Sequence, residues 1–69
     1  MSNPLLYNLR EGPGIDGYIV SARKTYTGEV IIQIVAQTKE FALERADVFL
    51  RKYAKEHGFS GIRLEDSLF

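Results

Sequence analysis

Three groups of residues have the types and spacing from which chemistry could be built. The run Gly12-Pro13-Gly14-Ile15-Asp16-Gly17 fits G-x-G-x-x-G, whose glycines let a backbone approach a pyrophosphate at a helix N-terminus. That chemistry needs a strand before the motif and a helix after it. Here a strand-like stretch follows, and Pro13 removes one amide donor, so the run reads as a turn. His57 is the only histidine. It falls in the last turn of an expected helix, where an imidazolium interacts favourably with the negative end of the dipole. With no cysteine and no second histidine, a metal cage would have to be made of carboxylates alone, and no nucleophile with a partner base can be picked out. Glu40, Glu44 and Asp47 share a helical face, as ligands of a hard cation or a pair of acid–base carboxylates would. Asp47 and Arg51, however, stand four apart, as do Lys52 and Glu56, which is the spacing of a solvated, ion-paired helix surface. The expectation is a non-enzymatic protein with no catalytic residue, metal or cofactor.

Composition narrows the partner classes. Nine Lys and Arg balance nine Asp and Glu over 69 residues, so no net field draws the chain to nucleic acid or an anionic membrane, and electrostatic recognition has to be local. No stretch approaches the roughly 20 apolar residues of a membrane helix, and no membrane partner is expected. The N-terminus carries neither a charged leader nor a long apolar run. Together with the absence of cysteine, this points to a cytoplasmic location. A chain of this length reads as one domain over 1–69, with residues 1–16 an N-terminal arm and Gly/Pro loop.

The elements behind these residues follow from periodicity. Tyr18 to Tyr26 and Glu29 to Thr38 are rich in Ile, Val, Thr and Tyr and read as two strands joined at Thr27-Gly28. A turn with one extra residue or a bulge groups Tyr18, Val20, Ala22 and Tyr26 with Val30, Ile32, Ile34 and Ala36 as the core face. Thr38 suits an N-cap, and Ala42, Leu43, Ala46, Phe49, Leu50, Tyr53 and Ala54 recur at helical spacing. Gly58 then ends the helix, with Phe59 beyond it for the apolar contact of a Schellman motif. Gly61 to Glu65 alternates as a last strand, leaving a short tail. The fold class expected is α+β with order ββαβ: an antiparallel hairpin, one packed helix and a short third strand at an edge.

Two surfaces remain for function. Phe41, Arg45, Val48, Lys52 and Lys55 form a second helical stripe opposite the core stripe, an apolar patch with a basic rim that suits a protein contact or an RNA-facing surface. The alternative is that Phe41 folds back onto Leu5, Leu6 or Tyr7, and the sequence leaves both open. The outer sheet face carries Ile19, Arg23, Ile31 and Val35 beside Gln33 and Gln37. Its aliphatic residues exceed what a solvated face needs, so it could take the arm, a partner protein or a second copy of the chain. It has no aromatic residues for base stacking.

The run Ala36-Gln37-Thr38, then Ala42 and Ala46, then Phe59 to Leu64, resembles the strand–helix–strand half of short phage-encoded proteins, including certain anti-CRISPR inhibitors. The resemblance covers about thirty residues and implies a non-enzymatic inhibitor that occludes a larger assembly. The expected function is therefore a small protein-interaction module, an inhibitor or regulator, with a homodimer as one form. The alternative is a small RNA- or DNA-binding protein using Arg45, Arg51, Lys52 and Lys55 with Arg23 and Lys24.

Overall fold

Alternating apolar residues settle into a sheet, and the three- and four-residue apolar spacing settles into a helix laid across it. A computed structural model describes residues 3–14 and 17–68, apart from the side chains of residues 13 and 66–68. The elements are β1 (Leu5–Gly14), β2 (Gly17–Lys24), β3 (Val30–Ala36), α1 (Lys39–Glu56) and β4 (Ile62–Leu68). They form one sheet in the order β3-β2-β1-β4. β1 with β2 and β2 with β3 are antiparallel, whereas β1 and β4 are parallel. A parallel neighbour cannot be reached by a tight turn, so the chain leaves β3 at one edge, crosses through α1 and returns as β4 at the other edge.

The α+β class and the hairpin, packed helix and edge strand are as the sequence implies. The stretch expected to be an arm and loop is the correction: Leu5–Gly14 is a ten-residue strand in the interior of the sheet. Leu5, Tyr7 and Leu9 alternate and are buried. Apolar Leu6 between them hides the period of two, and Gly12 to Gly14 resembles a loop end. The closing strand also runs further than expected, to Leu68, with an irregularity between its pairings to Tyr7 and Asn8.

The β2–β3 register is the one the apolar pattern demands, with Tyr18 opposite Ala36, Val20 opposite Ile34 and Ala22 opposite Ile32. A bulge then follows: Arg23 pairs with Val30, so Ile31 is the extra residue. Val20, Ala22, Ile34 and Ala36 are buried. Tyr18, Tyr26 and Val30, expected on that core face, are exposed, since Tyr26 lies beyond the end of β2 and Val30 beyond the bulge.

The helix begins where Thr38 Oγ1 accepts the Phe41 N–H at 3.2 Å, satisfying one of the orphan donors of the first turn. It ends in a Schellman motif: Phe59 N–H donates to the Ala54 carbonyl at 2.8 Å and Gly58 N–H to that of Lys55 at 3.4 Å. Gly58 adopts the positive φ of 81° that this ending requires. Ala42, Ala46, Leu50 and Ala54 are the buried stripe. Three alanines let α1 sit close to the sheet, and Leu50 fills the space between them and the strands. Phe49, expected mid-stripe, is 37% exposed and lies on the flank, its ring 6.4 Å from that of Tyr53.

The two flanks of α1 face different strands. Burial pushes the Tyr7 hydroxyl above its ordinary pKa, the charge of Asp47 raises it further, and Arg51 partly offsets both. The Asp47–Arg51 side is therefore turned toward β1, and Phe41, Arg45 and Phe49, on the opposite side of the helix, toward β3. Lys39 reaches Glu11 of β1 at 3.5 Å and ties down the first turn.

Leu50→Ala should cost about 2–5 kcal/mol, as a buried leucine truncated in a rigid core does. For a domain this small that lowers the melting temperature by roughly 10 °C or more. Phe49→Ala, on the flank, should cost less than half as much. Thermal melts of the two variants check this, and equal shifts would contradict the helix phase.

Candidate interaction surface

The glycine run is a hairpin. Gly14 and Gly17 pair at the end of β1 and β2, with Ile15 and Asp16 outside the described residues. Gly17 has φ 146°, and a Cβ there would run into the Ala36 carbonyl oxygen. The last glycine of the motif therefore has a structural reason of its own: it lets β3 pass close by. His57 caps the helix: Nδ1 lies 2.9 Å from the Tyr53 carbonyl oxygen, and its ring stacks on Tyr53 at 4.0 Å between centroids. Asp47 accepts from Arg51 Nε at 3.0 Å. Among the described residues no three His, Asp or Glu side chains converge as a metal cage would require.

A depression of about 510 Å³ lies at the end of the sheet between Pro4, Lys24, Tyr26, Phe59 and Arg63. Its two cations are already engaged. Lys24 Nζ lies 3.9 Å from Glu29 and 5.8 Å above the Tyr53 ring, and a hydrogen bond with Tyr53 is the main cause of its raised pKa. Arg63 Nε lies 3.7 Å from Glu65. Among the described lining residues, each of the two cations therefore already has an acidic neighbour.

The helix stripe is more consistent. Phe41, Arg45, Val48 and Lys52 line one groove of about 330 Å³ with Glu44 and Phe49, and the Arg45 guanidinium sits 5.6 Å over the Phe41 ring. Val48 is 64% exposed. Lys55 is exposed but lies outside the groove. Phe41 also lines a second depression, of about 450 Å³, with Val35, Ala36, Gln37 and Thr38. It therefore packs toward the end of β3 and does not fold back on Leu5, Leu6 or Tyr7.

This shared depression joins the two surfaces that the sequence kept apart. Ile19 and Val35 are direct neighbours on the outer sheet face; Val35 is 59% exposed, while Ile19 is half-buried. Ile31, at the bulge, is half-buried and packs against the core cluster, so it contributes little to the outer patch. The apolar surface runs from Val35 over the rim of β3 to Phe41 and on to Phe49 and Val48.

The sequence missed what lies under that rim. β3 pairs only with β2 among the described strands, so the backbone N–H and C=O groups on its other side have no ladder partner. Strand order was the hidden signal, and it depends on β1. The opposite edge, β4, carries Arg63 and Glu65 and a break in register, the usual protections of an edge. β3 reads Val-Ile-Ile-Gln-Ile-Val-Ala, without charge or proline. Its bulge is confined to the start, leaving Ile32–Ala36 regular.

The basic residues do not form one footprint. Arg51 is on the β1 flank and held by Asp47, Arg45 covers Phe41, and Lys24 rests on Tyr53. Arg23 lies on the outer sheet face, where the register also places Arg10 and Arg63. Arg23 Nη1 donates to the Gly28 carbonyl at 3.3 Å, and its buried Nε has no hydrogen-bond partner among the described residues. No helix among the described residues is long and apolar enough to cross a membrane. Compared with known proteins, the chain matches no family model, no curated protein and no solved structure.

Gly17→Ala should destabilise by at least about 2 kcal/mol, through a φ that alanine avoids and a clash with backbone. Gly12→Ala, with open space around its Cβ position, should change stability by less than about 1 kcal/mol. Denaturant melts distinguish them. A phosphate-loop role would instead appear as nucleotide-dependent stabilisation lost in both variants.

Proposed function

We propose that this chain is a small non-enzymatic protein-interaction module, an inhibitor or regulator that works by occluding a partner. The observation that carries the reading is the rim of β3: an uncharged, regular strand edge with exposed Phe41 and Val35 at its end, continuous through Phe41 with the helix groove that holds exposed Val48. Such an edge offers main-chain hydrogen bonds, and the side chains above and below it offer apolar anchors, which is how strand addition combines affinity with specificity. Arg45 and Lys52 form a basic rim around the apolar centre.

A second reading rests on a different observation: Arg10 and Arg23 share the outer sheet face with Arg63, which Glu65 of β4 pairs at 3.7 Å, and the outward positions of β1, β2 and β3 include no Asp or Glu. A nucleic-acid contact would use that face. Salt separates the two, because counterion release makes phosphate binding fall steeply with ionic strength, whereas an apolar contact persists.

The test is capture from nuclease-treated lysate of the native host by the tagged chain at low micromolar concentration. The protein-module reading predicts a captured protein that survives high salt, is lost with Val48→Glu or Val35→Lys, and is kept with Arg10→Ala/Arg63→Ala. Capture that needs nucleic acid and disappears with the arginine pair, but not with Val48→Glu, would replace this reading with the second one.

A further inference from the structure

We infer that the open edge of β3 pairs with the β3 edge of a second copy, antiparallel about a twofold axis at Ile34, making one continuous eight-stranded sheet. This rests on the reading of that edge as an interaction surface and names its occupant.

The first ground is the asymmetry of the two edges. β4 is guarded by charges and a register break, while β3 presents Ile32–Ala36 with a regular ladder and neither charge nor proline. An edge of this kind is a template for another strand unless something covers it.

The second ground is self-complementarity. Side chains directly opposite each other in an antiparallel pair share a face, so a twofold pairing must set inward residues against inward ones. With the axis at Ile34, Ile34 meets its own copy, Ile32 meets Ala36, and Gln33 meets Val35. Every inward position of the regular segment is then aliphatic, every outward pair is uncharged, and the bulge at Ile31 stays outside the seam. A shift of one residue would set the core row of one copy against the outer row of the other.

The third ground is the helix. α1 packs chiefly on β2 and β3. With strands about 4.8 Å apart, a helix seated between those two strands lies roughly 5 Å from the seam. The axis is normal to the sheet, so both helices lie on the same face, roughly 10 Å apart, which is the separation at which two helices pack. The flanks that meet there are those turned toward β3, carrying Phe41, Arg45 and Phe49. Phe41, 50% exposed, would be covered by the same step that satisfies the strand edge. One association thus covers Phe41 and pairs the open backbone, and an isologous C2 interface of this type closes on itself without further growth.

Sedimentation of the parent and of charge variants tests the pairing. The parent should be dimeric at tens of micromolar. Val35→Lys and Gln33→Glu, each facing its own kind of neutral neighbour in a like pair, should weaken self-association at least about tenfold while keeping the parent's circular dichroism. Mixed one to one, they should form a heterodimer, because the axis sets position 35 of one chain against position 33 of the other. Mixing Val35→Lys with Val35→Glu should restore much less. If either sheet variant fails to fold, Phe41→Asp on the helix flank serves in its place and should give a monomer. A parent monomeric at several hundred micromolar overturns the inference, as does a dimer indifferent to Val35→Lys. A monomeric parent that still captures a host protein through Val48 sinks the self-pairing alone, and one that captures none sinks both readings.

Discussion

One helix has to cover one face of a four-stranded sheet, and everything else in this molecule follows from how that cover is made. Ala42, Ala46 and Ala54 bring α1 down onto the strands, and Leu50 reaches into the row made by Leu5, Tyr7, Leu9, Val20, Ala22, Ile34 and Ala36. Larger residues at the alanine positions would lift the helix and open that row to water. A cover this close is also narrow. It shields the middle of the inner face, leaves the outer face bare, and stops short of the β3 edge, where Phe41 remains exposed.

The same constraint sorts the chemistry-bearing residues into structural work. Gly17 is needed because β3 passes against the hairpin, His57 closes the helix end over Tyr53, and Asp47 and Arg51 pair on the flank above Tyr7. Lys24 lies against the Tyr53 ring with Glu29 nearby. What remains unoccupied is backbone and aliphatic surface at one edge, and that is recognition chemistry: hydrogen bonds from a strand, with side-chain anchors on either side of it.

Much of this was legible in the residues. The helix announced itself through Thr38, Gly58 and the spacing of its apolar stripe, and the β2–β3 register followed from the requirement that Val20, Ala22, Ile34 and Ala36 share a face. The groove of Phe41, Arg45, Val48 and Lys52 was visible as a stripe because helical spacing is local. β1 was not read as a strand, because Leu6 interrupts the polar–apolar alternation and Arg10 to Gly14 looks like a loop. Its signal was the two-residue spacer Ile15-Asp16 between Gly14 and Gly17, with Leu5, Tyr7 and Leu9 at a period of two. Without β1 the strand order was hidden, and with it the fact that β3 is an edge. Phe49 was placed in the core because its spacing fits, but the stripe drifts around the helix, and at that turn Ala46 and Leu50 take the buried positions.

The central claim is that the β3 edge finds a second β3. Isotope-filtered nuclear Overhauser measurements on an equal mixture of labelled and unlabelled chains address it without substitution. The account predicts intermolecular contacts from Ile34 to Ile34, Ile32 to Ala36 and Gln33 to Val35, joined by contacts of Phe41 across the seam. Intermolecular contacts confined to the outer sheet face, or none at concentrations of several hundred micromolar, would contradict it.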